Sequence, residues 1–419
     1  VRLRCVAAGI VILSVSGVLA SGREHSRQLD ALIAEALRNN PEILAAQKRY
    51  EAARQRPSQE STLPDPVLGV GYQSAGSPRP VAGLGAEPMA NAGFSITQEF
   101  PAPGKLNLRG GIAAKEAEAE FQQYQAVQLN VIARLKQAYY RLYYTYAARD
   151  VLERNRDLLT RLLSVTEARY AVGKAAQQDV LKAQTQISIL ETRLVKLEQE
   201  RNAAEAEINS LLNRRAGTPV PRPEEFTPIE FALNLEELYG SAREQSPVLR
   251  RGQKMIERSE LALNLARKDY YPDYAVTAGY FNQGSMPAMY MARVDVRIPL
   301  YFWRKQRPGV TEQASNLVEA RRSYESIDQN IRFRIKDDYL MAQASWKLME
   351  LYSKTVIPQA GLALESSLSS YETGNLDFLS VLTNFTTVLD YELNYYQELM
   401  SYYAALSRLE ELTALRLTD

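Results

Sequence analysis

The chain is written twice. Leu29, Leu32, Ala36, Pro41 and Gln47 recur 206 positions later as Leu235, Leu238, Ala242, Pro247 and Gln253. Pro64-Asp65 and Gly71-Tyr72 recur as Pro272-Asp273 and Gly279-Tyr280. Val131, Arg134-Leu135-Lys136 and Tyr139 recur as Ile331, Arg334-Ile335-Lys336 and Tyr339, and Tyr170, Gly173, Val180 and Leu181 as Tyr371, Gly374, Val381 and Leu382. The spacing drifts by a few residues in loops and once inside a helical stretch. Two helical stretches often look alike by chance; four motifs in the same order, strands included, do not. A repeat of this length makes each copy one structural unit whose apolar faces need a neighbour for cover.

Proline marks the limits of the elements inside each unit. None occurs between Gly104 and Thr218, and only Pro358 between Gly309 and Asp419; both stretches are rich in good helix formers. Val180, Ala183, Ile187, Leu190, Leu194 and Leu197 step by three and four in alternation, and Ala204, Ile208 and Leu211 continue the seam, which is a coiled-coil pattern. Ile132, Leu135, Tyr139, Leu142 and Tyr146 repeat it one helix earlier. A helix from about residue 105 to 170 is predicted, on the order of 100 Å long at 1.5 Å per residue.

Four short segments alternate with period two instead. Leu68, Val70 and Tyr72 oppose Gly69 and Gly71; Phe94, Ile96 and Phe100 oppose Ser95, Thr97 and Glu99; Tyr274, Val276, Ala278 and Tyr280 oppose Ala275, Thr277 and Gly279. Val294, Val296 and Ile298 oppose Arg293, Asp295 and Arg297. Each reads as a strand with an apolar and a polar face, at about 66–75, 91–100, 273–282 and 289–299, with hairpin loops at 74–90 and 282–288. Each unit is thus helix, strand, strand, long helix, turn, long helix. The expected division is a signal peptide at 1–20, a first repeat at 21–215, a Pro-rich linker at 216–234 and a second repeat at 235–419.

The signal peptide is read from basic Arg2 and Arg4, the apolar run from Val6 to Val18 and the small residues before Ser21. With 50 Lys+Arg against 49 Asp+Glu the chain carries no nucleic-acid footprint. Mean hydropathy is -0.31, which excludes a polytopic helical membrane protein but not a β-barrel. The one cysteine, Cys5, sits inside the signal without a lipid-attachment context, and the one histidine, His25, follows closely. Neither supports a catalytic triad, a disulfide or a metal centre, and no phosphate-binding loop is present. No catalytic residue, cofactor or metal site is expected. Met286, Met289 and Met291 are read as loop packing at a barrel rim in preference to a Cu(I) site. Tyr270, Tyr271, Tyr274, Tyr301, Phe302 and Trp303 are read as an aromatic girdle at a lipid interface.

The whole mature chain resembles the TolC-type outer-membrane factors of tripartite efflux pumps and type I secretion systems. The order of elements, the duplication and the turn motif Tyr-x-x-Gly followed by Val-Leu carry the likeness. Gln98-Glu99-Phe100-Pro101-Ala102-Pro103-Gly104-Lys105, with Leu63-Pro64-Asp65-Pro66 upstream, looks most like the heavy-metal efflux branch. The resemblance implies a mainly α fold with membrane β: long coiled-coil helical hairpins forming a periplasmic tunnel, plus four strands per protomer in a shared trimeric 12-stranded β-barrel. It implies a homotrimer in outer-membrane lipid, docked at its helix tips to a periplasmic adaptor (membrane fusion) protein and through it to an inner-membrane pump, doing no chemistry of its own. Tyr170, Gly173, Tyr371 and Gly374 mark the tips, and Arg293, Asp295 and Arg297 a lumen-facing strand. Asp179 occupies the place of an acidic pore constriction; in the second repeat the matching positions are Ser380 and Thr383, with Asp377 one turn earlier. A type I secretion duct and a soluble periplasmic coiled-coil scaffold remain the alternative readings.

Overall fold

The computed structural model describes residues 27–76, 78–87, 89–225 and 228–418. The expected signal peptide, Cys5 and His25 lie outside them. The elements run α1 (Arg27–Asn39), α2 (Pro41–Ala53), α3 (Arg56–Ser61), β1 (Val67–Gln73), β2 (Asn91–Phe100), α4 (Lys105–Ala171) and α5 (Gln177–Leu211). The second unit follows as α6 (Leu235–Gln245), α7 (Pro247–Lys268), β3 (Asp273–Gln283), β4 (Met286–Arg297), α8 (Gln306–Leu351), α9 (Ile357–Thr373) and α10 (Phe378–Thr413). The leading helix of each unit is not single, as the pattern suggested. It breaks at Asn40-Pro41 and at Ser246-Pro247, because a proline disfavours helical backbone in the residue before it and starts a helix well.

Helix α4 has 67 residues and begins right after Gly104, which holds a left-handed φ of 89°. Its counterpart is not one helix. Helix α8 has 46 residues, a five-residue π turn follows at Tyr352–Val356, and α9 adds 17. The sequence explains the turn. Val131 and Tyr139 recur 200 positions on, but Tyr170 and Gly173 recur 201 on, so the second helix carries one extra residue. A helix absorbs one inserted residue by widening a single turn, and the Ile357 N–H duly bonds the Tyr352 carbonyl five residues back. Both long helices therefore keep the same face toward their partners at either end.

The strands form one antiparallel sheet in the order β1-β2-β3-β4. The second hairpin is tighter than expected. Gly284, at φ 74°, and Ser285 make its whole turn, so Met286 directly follows the turn and Met289 and Met291 lie within β4 instead of packing in a loop. The first loop leans against it, with the Ser285 hydroxyl donating to the Gly85 carbonyl at 3.4 Å. Below the sheet, α7 lies along α4 and α8, and α10 continues between the same two helices.

Two apolar clusters hold the helices. The first joins Leu135, Tyr139 and Leu142 of α4 to Ile208 and Leu211 of α5, Ile335 of α8, and Tyr402, Leu406 and Leu409 of α10, with α1 and α6 laid over them. The Tyr140 and Tyr403 rings stack 4.5 Å apart inside it, so the tyrosine-rich stretch of α4 is packing. The second cluster, Leu152, Leu159, Leu190, Val381, Phe385 and Leu389, runs toward the tips along the seam read from the sequence.

A buried ion pair lies where the repeats differ. Lys136 donates to Glu410 at 2.5 Å, both side chains nearly fully covered. Glu410 also accepts the backbone N–H groups of Leu417 and Thr418 at 2.7 and 2.8 Å, which ties down the C-terminal strap. Lys336, the repeat partner of Lys136, is exposed. Removing one member of a buried pair leaves an uncompensated charge. Lys136→Met should therefore destabilise the fold by about 3–5 kcal/mol, while Lys336→Met should change it by less than about 0.5 kcal/mol. Urea titrations followed by tryptophan fluorescence check both.

Candidate channel wall and helix tips

The register of the sheet sorts its side chains onto two faces of opposite chemistry. Across β1, β2 and β3, Leu68 faces Ile96, which faces Ala278, and Val70 faces Phe94, which faces Tyr280. Tyr280 in turn faces Tyr290 of β4, and Val276 faces Val294. Residues opposite one another share a face, so these side chains form one apolar surface. It is bare: Val70 is 81% exposed, Tyr290 78%, and Leu68, Ile96, Val276, Val294, Val296 and Ile298 are exposed with them. An uncovered apolar surface spanning four strands marks contact with another hydrophobic phase.

The other face is polar. Thr97 faces Thr277, which faces Arg293, and Glu99 faces Ala275, which faces Asp295. The expected trio falls here together: Arg293 donates to Asp295 at 3.0 Å, and Arg297 reaches Glu99 at 3.5 Å. Thr277 is only 2% exposed and shares a 2.9 Å hydroxyl contact with Thr97. It is a packed position of the polar wall, not an open one.

At the helix end of the sheet, Lys105 is buried between Asp269 at 3.2 Å and Asp273 at 3.0 Å. Asp273 also accepts the Ala102 N–H at 2.8 Å, so one carboxylate fastens the end of β2 to the start of β3 and the start of α4. Beside this joint Tyr270, Tyr271, Tyr274, Tyr301, Phe302 and Trp303 are all exposed, where the aromatic girdle was placed.

At the far end, both helix turns use the same device. The Gly173 N–H bonds the Tyr170 carbonyl at 2.9 Å and Lys174 N–H bonds Arg169 at 2.8 Å; Gly374 and Asn375 do the same to Tyr371 and Ser370 at 3.0 and 2.9 Å. Gly173 and Gly374 have φ of 72° and 84°, the left-handed region that ends a helix in this way. The side chains around the two turns differ. Tyr170 and Val172 are exposed, whereas Tyr371 is buried, its ring 4.7 Å beneath the Arg169 guanidinium and its hydroxyl 3.2 Å from Thr166 Oγ1. Arg169 also donates to the carbonyls of Tyr371 and Glu372. The second tip is thus fastened to the last turns of α4, while the Tyr170 and Val172 side chains of the first turn stay uncovered. Asp179 lies in the first turn of α5, half-buried, its carboxylate 3.4 Å from the Ala176 N–H. Among the described residues no group of three or more His, Cys, Asp or Glu is placed to hold a metal ion. No described helix is long and apolar enough to cross a membrane.

A bare apolar sheet face on a long helical body has known counterparts. The sequence profile of the outer membrane efflux protein family matches residues 32–214 and again 238–415. The chain belongs to the outer membrane efflux protein family. It is 22% identical over 397 residues to outer membrane protein TolC of Vibrio cholerae serotype O1, covering 89% of this chain and 87% of that one. It is 21% identical over 328 residues to the nickel-cobalt-cadmium resistance protein NccC of Alcaligenes xylosoxydans xylosoxydans, covering 77% and 71%. The outer membrane protein VceC of Vibrio cholerae superposes with a TM-score of 0.78 at 18% identity, over 92% of this chain and 96% of VceC. CusC superposes with a TM-score of 0.75 at 14% identity, over 92% and 90%. The fold is that of the family's channels, and the function is that of an outer-membrane exit duct for efflux.

Sequence reasoning missed the residues that hold the two ends of this efflux protein together. Lys105 stands in the sequence only as the end of the 98–105 motif, and nothing local singles out Arg169. Their partners lie 168 and 202 positions away, beyond any local pattern. The faces of the sheet give a sharper test. Val296→Arg, on the apolar face, should cost roughly 2–4 kcal/mol in a bilayer and abolish assembly. Ser95→Arg, on the polar face, should leave it intact. Heat-resistant oligomer on gels of outer-membrane fractions reads the difference.

Proposed function

We propose that the chain is the outer-membrane duct of a tripartite efflux pump and acts as a homotrimer. Each copy contributes four strands to a 12-stranded barrel and its helices to a tunnel reaching into the periplasm. One observation carries this reading: the sheet has an exposed apolar face and two edges, β1 and β4, with no partner strand among the described residues. Backbone groups cannot stay unpaired in hydrocarbon, and four strands do not close a barrel. Transport is passive, driven by the partner pump. The protein should leave membranes only with detergent and scatter light as a trimer. A monomer soluble without detergent would overturn the reading and favour a periplasmic scaffold.

The periplasmic tips dock an adaptor protein, through the turn at Tyr170 and Gly173 and the turn at Gly374. Valine at either glycine forces a branched side chain into a left-handed backbone. Gly173→Val and Gly374→Val should reduce resistance in a sensitised host while outer-membrane abundance stays normal. Unchanged resistance in both would exclude these turns from docking.

The cargo is heavy-metal cations, a reading supported by the likeness to the nickel-cobalt-cadmium resistance protein. Asp179 is assigned to a constriction where three copies approach one axis and gather cations. Like charges held close favour counterions between them. Its contact with the Ala176 N–H offers a simpler role at a helix N-terminus. Planar-bilayer conductance separates the two. With a ring, Asp179→Asn should lose cation selectivity and block by trivalent cations. With a helix-end role alone, both properties persist.

A further inference from the structure

The two hairpins of the chain are built to one register. Gly71 recurs as Gly279, 208 positions on, and Pro101 as Pro299, 198 positions on. These two shifts carry the pairing of the first hairpin onto the second. Gly69 opposite Ser95 becomes Thr277 opposite Arg293, and Val67 opposite Thr97 becomes Ala275 opposite Asp295; all four pairings are present. The hairpins are joined through β2 and β3, where Phe94 faces Tyr280, Ile96 faces Ala278, Thr97 faces Thr277 and Gln98 faces Val276. The same two shifts can be applied to the edges left open.

We infer that β4 of one copy pairs with β1 of the next in the register of the β2–β3 seam, and that Lys305 completes its ion pair on Asp65 of that next copy. The inference rests on the trimer proposed above and specifies its closing seam. Applied to β2 and β3, the shifts place Val296 opposite Leu68, Val294 opposite Val70, Ala292 opposite Tyr72 and Asp295 opposite Gly69 of the next copy. Apolar residues then meet apolar ones, and the one acid meets a glycine on the polar side. A slip of one residue would turn Asp295 and Arg293 toward the apolar face. The seam ends before Pro287, whose missing N–H could not serve a ladder.

A slip of two residues would keep the faces, so the seam needs a second determinant. Inside the protomer it is the joint of Lys105 with Asp273, which fixes β3 against the start of α4. Lys305 stands 200 positions after Lys105, the shift that relates α4 to α8, and Asp65 stands 208 before Asp273. Both are exposed, and neither side chain has a hydrogen-bond or ion-pair partner among the described residues. Closure brings them together as Lys105 and Asp273 are brought together. The copy of the joint is simpler than the original, since the shift of 208 puts the uncharged Ser61 in the place of Asp269.

Cysteine pairs test the register in full-length protein with Cys5→Ser. Strands β1 and β4 of one copy lie three strand spacings apart, about 14 Å, too far for a disulfide. Any bond between them therefore links two copies. Val70→Cys with Val294→Cys should give a cross-linked trimer in the membrane under mild oxidation. Leu68→Cys or Tyr72→Cys with Val294→Cys should not. Linkage in a shifted pair, or none in a protein that still scatters light as a trimer, overturns the register alone. A monomer overturns the trimer as well. Lys305→Glu should lower the temperature at which trimers dissociate in detergent, and adding Asp65→Lys should restore it. If the double variant stays as weak as the single one, the two residues do not meet.

Discussion

Hydrocarbon offers a backbone amide nothing to bond to. An open strand edge is tolerable in water, where solvent satisfies it, and intolerable in a bilayer. This chain makes a sheet with a bare apolar face and leaves two edges open. The constraint reaches every other part of the molecule. The opposite face is polar, and Arg293, Asp295 and Arg297 share it. Exposed aromatic side chains gather where the sheet meets the helices. The joint beneath must hold the sheet at a fixed angle, and Lys105 does so from a buried position between two carboxylates.

Duplication meets the demand for repeated, equivalent edges, but the copies have not stayed equal. The extra residue of the second long helix is confined to one π turn, so contacts above and below it keep their phase. Lys136 is buried against Glu410, while Lys336 faces out. Tyr371 is locked under Arg169, while Tyr170 stands in the open. Each difference falls where one unit contacts a part of the chain that the other lacks: the C-terminal strap in the first case, the neighbouring hairpin end in the second.

Much of this was legible because it depends on periodicity. The long helix was placed at about 105–170 and spans Lys105–Ala171. The second strand was placed at 91–100 and spans Asn91–Phe100. Gly173 and Gly374 mark the tips in the sequence and hold left-handed backbone there, because few other residues take that backbone without strain. The fourth strand was started late, at 289, since Pro287 and the methionines mask the alternation near a two-residue turn. The broken leading helices were read as single because an Asn-Pro or Ser-Pro step interrupts a helix without changing its apolar spacing.

Which elements form, which face of each is apolar and that the chain is one unit used twice can all be read along the sequence. Those properties follow from local propensity and from side-chain spacing along a single segment. Which charges are buried, which tip side chain is covered and how the strands are registered emerge only when the chain packs. Those depend on residues such as Lys136 and Glu410, or Arg169 and Tyr371, that lie hundreds of positions apart and acquire their environment only when distant helices pack. The same lysine in the same motif is a buried anchor in one copy and a solvated side chain in the other, because what surrounds it is set by the chain folded against it.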